Sequence, residues 1–89
     1  MEKRKVVGRD EATTKLKAVR LRRGLTQKEV IEKTGINAGT YKMYEQGGKK
    51  FDNARIDTIL RTCIVLNCDI GEILENPEYI EIYNEYINA

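Results

Sequence analysis

The chain has no histidine, one proline and two cysteines among its 89 residues, and no lysine or arginine beyond Arg61. Without histidine, zinc sites and His-base catalysis lose their usual side chain. Cys63 and Cys68 stand five positions apart in an apolar context, which fits neither a zinc-ligand spacing nor a Cys-x-x-Cys redox pair. They read as buried free thiols. No nucleophile and base form a constellation, so no catalytic residue, metal site or cofactor is expected. No window approaches the roughly 20 apolar residues of a membrane span. The start MEKRKVVGRD carries no apolar signal region. A cytoplasmic location without membrane contact is the expectation.

What remains is an ordinary globular composition, 40% hydrophobic and 34% charged, of a length that suits one small domain with a modest core. The net charge of +2 conceals a strong polarity. Residues 1–61 hold all 16 Lys and Arg against 8 Asp and Glu, a net +8, while the last 28 residues carry 6 acids and no base, a net −6. Two solvated faces would produce the same numbers. The basic part, however, coincides with the best-patterned segment of the chain, which points to a polyanionic partner at that end.

That segment is TQKEVIEKTGINAGTYKMYEQG, Thr26 to Gly47. Thr26 and Glu29 have the spacing of a capping box that opens a helix. Val30 and Ile31 supply its apolar stripe, with Gln27, Lys28, Glu32 and Lys33 on the wet side. Gly35 stands where a helix end needs the left-handed conformation. Asn37 caps the next helix, with Ile36 and Tyr41 placed for a hydrophobic staple. Tyr41 and Tyr44, three apart, share its buried face, and Ala38, Gly39, Lys42, Met43 and Gln46 are left for the other. Gly47-Gly48 ends it. Two short helices with a tight joint form a helix-turn-helix, whose second helix enters the DNA major groove in known examples.

The rest of the chain is arranged around this unit. Residues 1–9 read as a basic tail. A helix is expected from Asp10 to Arg23, with Ala12, Leu16 and Val19 toward the core, Gly24 as its stop and Leu25 turned inward. After a loop with Lys49, Lys50 and Phe51, a helix over Ala54–Leu66 is expected to bury Ile56, Ile59, Leu60, Cys63 and Leu66. Asp69 with Glu72 predicts another capped start, opening a short helix through Leu74. Asn76-Pro77 reads as cap plus first-turn proline of a last helix reaching about Asn88. In it Ile80, Tyr83 and Ile87 form one stripe, flanked by Tyr79, Ile82 and Tyr86. That apolar face needs cover, from its own domain or from a second copy in a homodimer through residues 77–88. The resulting divisions are 1–9, 10–75 and 76–89.

At these residues the chain resembles a small Cro/cI-type helix-turn-helix domain, of the lambda-repressor-like XRE family. The likeness begins at LKAVRLRRGLTQKEV, continues to RIDTILRTCIVLNCDIGEILEN and covers roughly residues 15 to 75. Thr26-Gln27, Gly35 and Tyr44-Glu45-Gln46-Gly47 carry it, and the tail IDTILRTCIVLNCDIGEIL is similar to a subgroup with cysteines at Cys63 and Cys68. Ile31 departs from the family's usual Ala and should widen the helix crossing. The connection after Glu45 is longer than in a minimal member, and the recognition face is sparser.

The resemblance implies an all-α, lambda-repressor-like bundle of about five helices plus the C-terminal amphipathic helix. It also implies a non-enzymatic, sequence-specific binder of double-stranded DNA, most simply a bacterial, phage or mobile-element repressor. Asn37, Ala38, Gly39, Lys42 and Met43 would face the bases, with Lys42 suited to guanine and Ala38 or Met43 to a thymine methyl. Thr26, Gln27, Lys28, Gln46, Lys49 and Lys50 would meet phosphates, a contact also open to the Arg20 guanidinium and the Tyr41 and Tyr44 hydroxyls. Arg20 and Glu45 would pair, locking the first helix to the recognition unit. Nothing suggests a small-molecule ligand. A protein-interaction module on the same fold, such as an antitoxin or a regulatory subunit, is the alternative.

Overall fold

Capping side chains set most of the boundaries in the computed structural model, which describes residues 14–89. Five α-helices occupy this span: α1 Lys15–Arg22, α2 Gln27–Thr34, α3 Ala38–Gln46, α4 Ile56–Leu66 and α5 Pro77–Ile87. Single 3-10 turns lie at Phe51–Asn53 and Ile70–Glu72, and no strand occurs among the described residues, so the class is all-α. Thr14 is extended and its Oγ1 accepts the Lys17 N–H at 3.2 Å, so α1 starts at Lys15 and not at Asp10. Ala12 and the basic tail 1–9 fall outside the described residues.

The core joins every element before α5. Leu16 and Val19 of α1, Val30 of α2, Tyr41 of α3, Phe51, Ile59 and Leu66 of α4, and Ile73 form one buried cluster. Each such side chain contributes roughly 1.5–3 kcal/mol by leaving water. α2 lies at the centre, packed on both α3 and α4. Ile31 and Leu25 are half-buried against the cluster, as are Ile36 and Tyr44.

Two expectations need correction. α4 starts at Ile56, and its buried positions are Ile59, Thr62 and Leu66. Ile56 is 64% and Leu60 48% exposed, and Cys63 is half-buried with a free thiol, as is Cys68. Thr62 takes the core position because its hydroxyl donates to Thr58 O at 2.8 Å and needs no other partner. The helix is thereby rotated from its apolar pattern, and Ile56, Leu60 and Ile64 form an outward stripe. The element opening at Asp69 has its capping box but stops after one 3-10 turn, because Ile73 and Leu74 both turn into the core.

α5 is seated only through its first half. Asn76 caps it, with Pro77 in the first turn, and Asp52 Oδ2 accepts the Glu75 and Asn76 N–H groups at 2.8 Å each. The Tyr79 hydroxyl donates to Asn53 Oδ1 at 2.9 Å, the Tyr83 hydroxyl donates to Asp69, and the Tyr83 ring lies against Gly71. Ile82, Tyr86 and Ile87 remain exposed, and no α5 residue is fully buried.

Candidate nucleic-acid interface

The joint between α2 and α3 forms as its residue types dictate. Thr26 Oγ1 accepts from Glu29 N at 3.0 Å while Glu29 Oε1 accepts from Thr26 N at 2.8 Å. The hydrogen bonds from Thr26 hold the Glu29 carboxyl below the usual carboxylate range. Gly35 closes α2 at φ 77°, the left-handed region that an L side chain enters only at a cost. Asn37 Oδ1 then accepts from Thr40 N at 3.1 Å and opens α3. Gly47 ends α3, and Met43 O accepts from Gly48 N at 2.9 Å.

Behind the joint sits a buried polar lock. Glu45 is 1% exposed, yet its carboxylate accepts from Arg20 Nε at 2.6 Å, Arg20 Nη2 at 3.1 Å, Gln27 Nε2 at 3.0 Å and the Tyr41 hydroxyl. These four donors fill its lone-pair directions. Burial pushes the Glu45 carboxyl up, but the hydrogen bonds from Arg20, Tyr41 and Gln27 and the Arg20 charge outweigh it, leaving the group below its ordinary value. Burial and then the bond to Glu45 push the Tyr41 hydroxyl far up, so it stays protonated as a donor. Arg20 Nη1 donates to Leu25 O at 2.7 Å. The expected Arg20–Glu45 pair is therefore formed, and it is a buried bidentate pair. It ties α1, α2 and α3 together and engages both the Arg20 guanidinium and the Tyr41 hydroxyl with Glu45.

With Tyr41 and Glu45 turned inward, α3 presents its other face to solvent. Ala38, Gly39, Lys42 and Met43 are all exposed, as is Asn37 at the helix start. Gly39 has a local reason: a Cβ there would lie 3.3 Å from Asn37 Oδ1 and press on the cap. That cap uses the Asn37 carbonyl oxygen and leaves its NH2 group to donate outward. Lys42 supplies the face's one cation. Tyr44 is half-buried, with its ring edge-on to Phe51 at 5.1 Å.

Basic groups flank this face. The N-terminus of α2 borders a shallow groove whose lining includes Lys17, Arg20, Thr26, Gln27 and Lys28. First-turn amides of a helix lack intrahelical partners and carry the positive end of its dipole, which suits an anion. Gln27 is half-buried with its NH2 on Glu45, so the lock orients it at this edge. Lys17 was not read from the sequence as part of the site. Its signal is position, three residues before Arg20 on one face of α1. Gln46, Lys49 and Lys50 are exposed at the far end of α3. Exposed Lys42 on α3 is thus accompanied by cations at the α2 start and just after the end of α3.

The model of the Cro/C1-type HTH DNA-binding domain matches residues 15–78, from the first residue of α1 to the first turn of α5. No curated protein and no solved structure matches the chain. The match takes in the whole helix-turn-helix, the Arg20–Glu45 lock and most of the 89 residues. The chain belongs to the family of Cro/C1-type helix-turn-helix DNA-binding domains.

Proposed function

We propose that this chain is a sequence-specific regulator of transcription, a repressor of prokaryotic, phage or mobile-element origin acting in the cytoplasm, with α3 laid in the major groove of double-stranded DNA. The observation that carries this reading is the rigid mounting of α3. Glu45 and Tyr41 anchor its inner side, and its outer side offers Asn37, Ala38, Gly39, Lys42 and Met43 to base edges. Lys42 donates to guanine, the Asn37 NH2 group to a base acceptor, and Ala38 and Met43 pack on thymine methyls. Thr26, Gln27 and Lys28 at the α2 start, with Lys17 beside them, hold one phosphate run. Gln46, Lys49 and Lys50 hold the other. In this reading residues 10–75 are the DNA-binding unit, and the protein does no catalysis.

The regulator works as a homodimer. Exposed Ile82, Tyr86 and Ile87 on α5 call for cover, and the absence of any cation after Arg61 turns that end away from phosphates. A two-fold dimer would match half-sites about one helical turn apart. Selection of bound molecules from a random duplex pool tests the proposal. Recovery of a defined motif, especially an inverted repeat, supports it. Recovery at background level at moderate salt would favour a protein-interaction module, a reading to which the apolar α3 face and the outward stripe on α4 lend support.

A further inference from the structure

α4 does not simply stop at Leu66. Asn67 adopts the left-handed conformation at φ 50°, Cys68 N donates to Cys63 O at 3.0 Å, and Asn67 N donates to Ile64 O at 3.2 Å. This pair of bonds is the Schellman motif, in which the residues at the two ends of the longer bond also bring their side chains into contact. Here those residues are the two cysteines. A disulfide spans Cα atoms about 4.4–6.8 Å apart, and the 3.0 Å hydrogen bond from Cys68 N to Cys63 O holds the two backbones at that order of separation. We infer that Cys63 and Cys68 are a modification site, a dithiol that a peroxide converts reversibly into an intramolecular disulfide stapling the end of α4 to the turn beneath α5. The spacing of five lacks the signature of a redox motif, and it is the reversal of the chain at Asn67 that joins the thiols.

The surroundings admit the oxidant. Both thiols are half-buried and free, and they border a shallow depression open to solvent, walled by Leu60, Ile64, Asn67, Asp69 and Glu72. Burial, then the neighbouring Cys68 thiol, push the Cys63 thiol up to about 12. Burial also raises the Cys68 thiol, with Glu72 and Asp69 adding to the rise, but a hydrogen bond from Cys63 and the charge of Arg23 oppose it. Arg23 is fixed there by its bonds to Leu66 O and Asn67 O at 2.8 Å each. Tyr83 faces the same turn from α5 through Asp69. The Arg23 cation sits on the carbonyls just before Cys68, so the Cys68 thiolate is the one that attacks first. It displaces hydroxide from the peroxide and becomes a sulfenic acid. The Cys63 thiolate then attacks that sulfur and expels a second hydroxide. Two thiol protons neutralise the two hydroxides, so the dithiol loses two electrons and two protons while hydrogen peroxide becomes two waters.

The test does not depend on DNA binding. The reduced full chain is treated with hydrogen peroxide at low micromolar protein, then examined by intact mass, thiol alkylation and non-reducing electrophoresis. The expected product is a monomer lighter by two hydrogens, with no alkylatable thiol, restored by dithiothreitol. Its rate of formation should climb about tenfold per pH unit over roughly pH 6 to 8, because only the thiolate reacts. In Cys63→Ser the Cys68 sulfenic acid should persist and be trapped by dimedone. Disulfide-linked dimers, gain of oxygen atoms in place of hydrogen loss, or thiols still alkylatable after exhaustive treatment with excess peroxide would each overturn the inference.

Discussion

Glu45 accepts four donors inside the fold, and removing either member of its pair with Arg20 leaves the other as an uncompensated buried charge. Glu45→Ala should cost about 3–5 kcal/mol, a large share of the roughly 5–15 kcal/mol available to a small domain. Its carboxyl titrates lower in the folded chain than in the unfolded one, so its contribution is complete above an unfolded value near 4.5 and is lost as pH falls through the folded value. Chemical denaturation across acidic pH should show that limb in the native sequence and a flatter one in Glu45→Gln. On the proposed reading, substitutions on the outer face should change binding and leave stability nearly unchanged. Lys49→Ala should weaken all duplexes alike and reduce the salt slope by about 0.9. The Arg20–Glu45 pair was legible from its place in the family motif. The roles of Tyr41 and Gln27 in the same lock were not, because a hydroxyl or amide at helical spacing does not reveal which buried group it meets. Arg23 was missed for a related reason, since its partners, the Leu66 and Asn67 carbonyls, lie across the fold.

At the scale of elements, caps were the readable signal. Thr26–Glu29, Gly35, Asn37, Gly47, Asp69–Glu72 and Asn76-Pro77 all mark ends that the structure contains. Gly35→Ala tests the joint. No atom lies within 4 Å of the added Cβ, so the cost is that of the backbone alone, about 1–2 kcal/mol by thermal or denaturant unfolding. Thr26→Ala should lose about 0.5–2 kcal/mol with its cap. The rotation of α4 was not readable from apolar periodicity, because Thr62 satisfies its own hydroxyl and displaces Ile56 and Leu60 from the core. The start of α1 was missed because acidic and small residues before Thr14 continue a helical pattern, while the cap hydrogen bond to Lys17 decides otherwise.

The whole molecule is polarised, with cations around α3 and the α2 start and acids along α5. On the proposed reading, this arrangement separates a surface for DNA from one for a second copy. Sedimentation at low micromolar concentration should find a dimer, alone or on DNA, that Tyr86→Glu dissociates. A native chain that stays monomeric on its duplex would rule the dimer out. The central claim is that the outer face of α3 reads bases. Its most direct test is the affinity of the native chain and of Lys42→Ala for a selected duplex and every single-base variant of it. The account expects the native chain to discriminate at the base pair under Lys42 by about 1–3 kcal/mol and the variant to lose discrimination there alone. An unchanged preference in Lys42→Ala at every position would contradict the placement of α3.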